Sequence, residues 1–230
     1  MTIINDTKVV DLRLAVYIAM HAPIKTVDHL GELLKILGKG SKLEHVRLHR
    51  TKCSKLISTV VSPALLNELV QHVGNSPFAL IVDESTDVSV SKFMGLCIRF
   101  YSRKEESMVT DFLGIVEVTK CTGEILAEAL LEYLYKIGLP PKNIFAIGTD
   151  GAPNMCGVNN SFYTHLKNKV PGLQLIKCVC HSLDKCAQYA FREMPDHLNY
   201  LLREAYNWFA HSALRQSEYK HYYKVKVTLF

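Results

Sequence analysis

Two short apolar segments of this chain each lead into an aspartate. Phe78–Val82 runs into Asp83, and Ile144–Ile147 continues through a glycine and a threonine to Asp150. Short, continuously apolar runs are typical of central β-strands, so both carboxylates are expected at strand ends. Carboxylate oxygens suit Mg²⁺, and a pair of such ions about 4 Å apart promotes in-line displacement at phosphorus. The pattern therefore predicts Asp83 and Asp150 as metal ligands, with simple turn capping as the alternative.

This chemistry usually needs a third acidic ligand, and no residue of the chain fills that role convincingly. Glu117, Glu124 and Glu128 are the surrogates to consider. The latter two are expected on the solvated side of an amphipathic helix. Asp87 reads as a helix or turn cap, although it could substitute for Asp83. Because two carboxylates leave the coordination open, only weak binding of Mg²⁺ or Mn²⁺ is expected.

Composition indicates an ordinary globular chain that can bury one good core and a small helical appendage. Hydrophobic residues make up 48% of its 230 residues, and its formal net charge is +5. A modest positive charge suits a DNA partner without requiring one, and solvated surface is the alternative reading. The excess lies in two clusters: Lys39, Lys42, Arg47, Arg50, Lys52 and Lys55; then Arg215, Lys220, Lys224 and Lys226, with tyrosines between them.

The seven cysteines indicate reduced thiols in an intracellular protein. We find neither a secretory leader nor an apolar run of membrane-spanning length, so no membrane partner is expected. Cys178, Cys180, His181 and Cys186 resemble a zinc cluster. However, the two nearest cysteines would alternate along a predicted strand, whereas structural zinc sites favour cysteines spaced in tight loops. A half-buried histidine beside core cysteines is the preferred interpretation.

The first 75 residues are predicted to be helical. Thr7 is expected to cap the first helix, which ends before Pro23, and Ser62–Pro63 to begin a later one. Thr26 is expected to cap a helix whose apolar face comprises Leu30, Leu33, Leu34 and Leu37. These apolar faces suggest self-association. A turn at residues 75–77 marks the end of the region.

Beyond this turn the pattern changes to strands and helices. The expected strands are 78–83, 93–101, 108–118, 144–150 and 173–180; the expected helices begin near 122, 161, 182 and 197. Three antiparallel strands followed by α/β units give the order β-β-β-α-β-α-β-α, that of the ribonuclease H-like fold. We therefore predict an α/β protein with a helical region (1–75), a ribonuclease H-like core (76–195) and a C-terminal helical segment (196–230). The alternating tail at 225–230 reads as a strand without a partner.

Three strings in this order resemble those of hAT-superfamily DNA transposases, particularly their domesticated or decayed relatives. They are FALIVDESTD at 78–87, IGTDGAPNM at 147–155 and CVCHSL at 178–183. The resemblance extends from the leading helices to about Lys220. It implies a ribonuclease H-like core with a site of three carboxylates, Mg²⁺ or Mn²⁺ as cofactor, and a nuclear location.

Position by position, Asp83 resembles the first catalytic aspartate of that family and Asp150 the second. His181 matches a histidine close to the active site. In that family a zinc-containing finger precedes the core, and a glutamate follows a large helical insertion. Neither is found here, so the chain is expected to be incomplete relative to the family, with 196–230 as the start of a truncated insertion.

Three functions follow as hypotheses. The first is a transposase-derived domain, ancestrally a metal-dependent enzyme of DNA cleavage and strand transfer, and inactive alone. The second is a domesticated, non-enzymatic module that binds DNA or protein. The third is a free-standing nuclease with two aspartates and an unrecognised third ligand. None of the three requires a small-molecule cofactor.

Overall fold

A computed structural model describes residues 2–86 and 92–227 of the chain. Asp87 therefore lies outside the described residues, as do residues 228–230. The helices are α1 Thr2–His21, α2 Thr26–Leu37, α3 Arg50–Leu56, α4 Ser62–Val73, α5 Gly123–Ile137, α6 Pro153–Cys156, α7 Phe162–Lys169, α8 Val179–Arg192, α9 Asp196–Ala210 and α10 Ala213–Val227. The strands are β1 Phe78–Thr86, β2 Lys92–Ser102, β3 Ser107–Val118, β4 Ile144–Thr149 and β5 Gln174–Lys177.

The five strands form one mixed sheet in the order β3-β2-β1-β4-β5. The chain enters at the centre with β1, turns twice through antiparallel neighbours to the β3 edge, and crosses over α5 to β4. Strand β4 then pairs in parallel with β1. This is the predicted succession of three antiparallel strands and following α/β units, so the α/β class and the strand order are confirmed.

Strand β1 is longer than predicted and differs on its two faces. Phe78, Leu80 and Val82 are buried, but the side chain of Ile81 between them is 44% exposed. Side chains of a strand alternate between the two faces of its sheet. Because the run is apolar at every position, both faces of β1 were expected to be buried. In the structure only the face with Phe78, Leu80 and Val82 is buried.

Helix α5 packs on the sheet through one stripe. Leu126, Leu130 and Leu134 are fully buried at four-residue intervals, as in an amphipathic helix. Its first residue, Gly123, touches the start of α7: an added Cβ would lie 2.3 Å from the carbonyl carbon of Ser161. The same Ser161 caps α7 through its hydroxyl, which accepts the Thr164 N–H. Only glycine at 123 permits this approach.

The N-terminal helices differ from their predicted boundaries at three places. Helix α2 begins at Thr26 itself, and the N-cap position belongs to Lys25. Helix α1 begins at Thr2, so Thr7 lies inside it and does not cap it. Ser62–Pro63 does not begin a separate helix, because α3 continues through a π-helical segment, Ile57–Val61, into α4. Proline has no N–H for the preceding turn. In the wider π register Ser62 donates its N–H to the Ile57 carbonyl, which carries the helix past the proline without a break.

A buried ion pair joins the first helix to the third. Asp11 is 2% exposed, and its carboxylate accepts from the Lys52 ammonium at 2.5 Å and from the Arg47 N–H at 3.3 Å. A second pair joins Arg50 to Asp28. Two cations of the first basic cluster are therefore used inside the helical region.

Helix α2 turns a different face inward from the one predicted. Its buried residues are Val27 and Gly31, while Leu33 and Leu37 are 51% and 74% exposed. The i, i+3, i+4 pattern identified the helix correctly. However, the direction of its buried stripe is set by the packing of α1 and α3, which periodicity does not report.

The segment around residues 173–180 also differs. Strand β5 ends at Lys177, and Cys178 is the N-cap residue of α8.

The C-terminal segment also differs from its prediction. Helix α10 extends to Val227, so the described part of the predicted tail strand is helical. Among the described residues, no helix is both long enough and apolar enough to cross a bilayer.

Packing separates the chain into two compact units. One comprises residues 1–149 and 153–176, and the other residues 150–152 and 177–230. The first unit contains the sheet and α1–α7; the second contains α8–α10. The predicted division at residues 75 and 195 stays a prediction.

Candidate functional site

The parallel pairing of β1 and β4 sets where the two aspartates fall. Leu80 lies opposite Ile147, and Ile81 lies opposite Gly148. Asp83 follows two residues later within β1, and Asp150 follows two residues after Gly148, directly after the end of β4. Asp83 therefore lies in the carboxyl-terminal part of β1, three residues before its last residue, Thr86, and Asp150 lies just beyond the carboxyl end of the parallel neighbour β4. In α/β sheets such ends are the usual place for a ligand.

Asp83 lies on the open face of β1. Its side chain is exposed, as is that of Ile81 two residues earlier. The neighbouring position on β2 is Gly95, so no side chain extends from that position beside the carboxylate. An exposed carboxylate keeps its hydration and can offer both oxygens to a cation.

Asp150 begins a tight turn and is partly buried. Its Oδ1 atom accepts the N–H of Ala152 at 3.2 Å, the Asx-turn arrangement. The Lys185 ammonium of α8 donates to the carbonyl of Gly151 in the same turn, at 3.1 Å. The turn-forming role considered from the sequence is therefore real. It is compatible with metal binding, since a carboxylate has about four lone-pair positions.

Glu84, the neighbour of Asp83, has a different environment. Its Oε1 atom accepts a hydrogen bond from the Asn154 amide at 2.7 Å, and the same amide reaches the Cys121 carbonyl at 3.4 Å. Burial raises the pKa of the Cys121 thiol, and the hydrogen bond with Glu84 adds to this. The sequence analysis did not identify the pair Glu84–Asn154. The available indication was that Glu84 and Asn154 lie within the strings at 78–87 and 147–155, which carry the family resemblance.

His181 contacts Cys178 at the start of α8. Hydrogen bonds from the backbone and the imidazole of His181, with a further one from the Cys180 backbone, lower the pKa of the Cys178 thiol. The prediction that Cys178 and Cys180 alternate along a strand is wrong, because the strand ends before them. The expected half-buried histidine beside core cysteines is also wrong, because His181, Cys180 and Cys186 are exposed and Cys178 is only partly buried. The location of His181 near an active site stays a prediction.

The donor set suits a hard divalent cation but is small. In the described ranges 2–86 and 92–227, no group of three or more His, Cys, Asp or Glu side chains could hold a metal ion. Glu117 on β3 and Glu124 and Glu128 on α5 are exposed. Asp83 and Asp150 each carry carboxylate oxygens of the kind that Mg²⁺ and Mn²⁺ prefer.

Comparison with known proteins agrees with the fold. The family described as the ZMYM1/FAM200 RNase-like domain (DUF4371) matches residues 32–161, which include β1–β4, both aspartates and the Glu84–Asn154 pair. The cattle (Bos taurus) protein named general transcription factor II-I repeat domain-containing protein 2 is 25% identical over 150 residues. That match covers 62% of this chain and 15% of the relative. Because the family match spans more than half of its residues, the chain belongs to the ZMYM1/FAM200 RNase-like domain family.

Proposed function

We propose that this chain is a transposase-derived ribonuclease H-like domain of the hAT lineage that binds a divalent cation weakly and does not cleave DNA alone. The observation that carries the proposal is the parallel β1–β4 register: Ile81 lies opposite Gly148, and Asp83 and Asp150 each follow two residues later in the sequence. The ribonuclease-like family supports the fold side of the proposal. The three strings at 78–87, 147–155 and 178–183 support the transposase side.

In this proposal each aspartate has a distinct task. Asp83, exposed on its strand, supplies a carboxylate that can approach a hydrated cation. Asp150, fixed by its bond to the Ala152 N–H, supplies one whose direction is set by the turn. When bound, Mg²⁺ or Mn²⁺ would act as a Lewis acid toward a phosphodiester oxygen. Two carboxylates hold such an ion loosely, which is why we expect no cleavage from the isolated chain.

Calorimetric titration with Mn²⁺ tests the site. Weak binding of one equivalent is expected for the wild type, with loss of the signal in Asp83→Asn and in Asp150→Asn. Glu128→Gln, which removes an exposed carboxylate from α5, is the matched control and should bind as the wild type does. Tight binding of two equivalents, or unchanged binding in both asparagine variants, would contradict the proposal.

A nicking assay on supercoiled DNA with Mn²⁺ tests the catalytic part. We expect no cleavage by the wild-type chain beyond that of Asp150→Asn, because the described residues bring no third carboxylate to these two. Cleavage that Asp150→Asn removes would instead establish the free-standing nuclease. Equal cleavage by both proteins would indicate a contaminating enzyme, and the assay would be repeated on repurified material.

A second function, that of a DNA-binding module without catalysis, is favoured by exposed cations on and between the N-terminal helices. Lys39, Arg47 and Lys55 are exposed, whereas Lys52 and Arg50 are in ion pairs. Such cations gain binding free energy by releasing counterions from the phosphate backbone. We propose DNA as the partner of these cations.

We also propose the nucleus as the location. The cattle relative is named as a general transcription factor II-I repeat domain-containing protein, which supports this proposal.

A further inference from the structure

We propose that Glu84 and Asn154 form a positioning pair that fastens the end of β1 to the segment following β4. This inference rests on the proposed function, because its purpose is to hold the strand end that carries Asp83. The two residues are 70 positions apart in the chain, and their side chains meet at 2.7 Å. The bond joins two side chains and is separate from the backbone ladder, in which Glu84 pairs with Met94 on β2.

The contact joins three elements at one point. Asn154 lies in α6, the short helix that follows the Asp150 turn. Its amide nitrogen donates to Glu84 on β1 and to the carbonyl of Cys121, in the segment between β3 and α5. Both residues are half-buried, and the bond to a carboxylate is charge-assisted. A single amide therefore connects β1 to α6 and to the segment between β3 and α5.

The Glu84–Asn154 bond lies beyond the last residues at which β1 pairs with β4. The described pairing of β1 with β4 runs from Phe78 to Ile81, and Asp83 comes two residues later. On the side of β1 that faces β4, residues after Ile81 are therefore held by side-chain bonds. On the other side, β1 pairs with β2 through the backbone as far as Thr86. Ligands must be held within about 0.5 Å of their working geometry to bind well. A cross-connection at residue 84 restrains the carboxylate at residue 83.

Glu84 does not serve as the missing third ligand. Successive side chains of a strand point to opposite faces, so Glu84 shares the face of buried Val82 while Asp83 shares that of exposed Ile81. Its Oε1 atom is also occupied by the Asn154 amide. A positioning role accounts for both its direction and its bond.

Mn²⁺ titration of four variants tests the role. Glu84→Ala and Asn154→Ala remove the bond, and each is expected to lower Mn²⁺ affinity about tenfold, the usual scale for residues that orient a ligand. Glu84→Gln keeps a carbonyl that can accept from Asn154 and should stay close to wild type. Asp83→Asn should abolish binding. If Glu84→Gln lost as much affinity as Glu84→Ala, the carboxylate itself would be a ligand and the proposal would be overturned.

Hydrogen exchange without metal keeps the two proposals separate. In Glu84→Ala, amides of residues 82–86 and 153–157 should exchange faster than in wild type, and in Glu84→Gln they should not. Residues 96–100 in β2 report global folding and should be unchanged in every variant. Unchanged exchange at 82–86 in Glu84→Ala would overturn the positioning pair. If Glu84→Ala exchanged faster than the wild type but the wild type bound no Mn²⁺, the positioning pair would be supported and the proposed metal site would be contradicted.

Discussion

At the scale of single residues, two neighbours on β1 have opposite environments. Asp83 is exposed, whereas Glu84 is half-buried and hydrogen-bonded to Asn154. The strand's alternation explains this difference, since each successive side chain changes face. The adjacent acidic residues Asp83 and Glu84 therefore do not reach one ion from the same face of β1. Asp83 has a candidate binding role, and Glu84 has a structural role.

The Cys178 thiol gives a prediction at the same scale. Hydrogen bonds from His181 lower its pKa, so the reactive thiolate forms at lower pH than in an ordinary cysteine. Iodoacetamide should label Cys178 at near-neutral pH, with the extent measured by tandem mass spectrometry. In His181→Ala the pH dependence should move upward, but only partly, because the backbone donors remain. An identical profile in wild type and His181→Ala would contradict this.

The buried Cys53 is the internal control for that experiment. Burial raises the pKa of its thiol, so it should remain unlabelled in the folded protein over the same range. Labelling of Cys53 together with Cys178 would indicate unfolding rather than selective reactivity. A Cys178→Ser variant then shows how much of the signal comes from Cys180 in the same peptide.

At the scale of elements, close approach decides the arrangement of helices more than helix propensity does. Helix α5 begins with Gly123, a residue unfavourable inside helices by about 1 kcal/mol relative to alanine. It is nevertheless required, since α5 and α7 contact each other there. Similarly, Pro63 lies within a continuous helical segment because the π register before it accommodates the missing donor. Helix propensity is therefore overridden by packing at Gly123 and by the hydrogen-bond register of the backbone at Pro63.

Gly123→Ala tests this balance. Propensity alone predicts stabilisation, but the added Cβ would lie 2.3 Å from the Ser161 carbonyl carbon and 2.4 Å from the Phe162 nitrogen. We expect a net loss of about 1–3 kcal/mol in the free energy of unfolding, measured by urea denaturation. Glu128→Ala on the exposed face of the same helix is the control and should change stability little. Stabilisation by Gly123→Ala would show that α5 and α7 separate readily.

At the scale of the whole molecule, net charge is a poor guide to the surface that meets a partner. The first basic cluster contains six cations in the sequence, but Lys52 and Arg50 are engaged by Asp11 and Asp28. The Asp11–Lys52 pair holds the helical region together, and Asp11 is almost completely buried. Charge available for DNA is thus smaller than the count of lysines and arginines indicates.

DNA binding of the intact chain provides the corresponding prediction. Arg47→Ala and Lys55→Ala should each weaken binding of duplex DNA of any sequence, and each should reduce the slope of log affinity against log salt by about 0.9. Fluorescence anisotropy at several salt concentrations measures both quantities. Lys136→Ala removes an exposed cation from the end of α5 and should have little effect. Equal loss in all three variants would indicate attraction by net charge alone.

Much of this fold follows from local sequence. The hairpin β2–β3, helices α5 and α7, the start of β1 and the end of β4 are marked by apolar runs, turn residues and caps that act within a few positions. The position of Asp150 directly after β4 was predictable for the same reason, whereas Asp83 lies within β1, which continues to Thr86. Boundaries were wrong where a cap was read in isolation, as at Thr7, or where one element was extended through the next, as at Cys178.

The sequence by itself determined which elements form and approximately where they lie, because hydrophobic period and capping are short-range effects. Only the tertiary structure decided which face each side chain takes and which distant residue it meets. The bond between Glu84 and Asn154, the burial of Asp11 against Lys52, and the inward face of α2 are of this kind. Each depends on contacts between residues far apart in the chain, whose free energy no local pattern records.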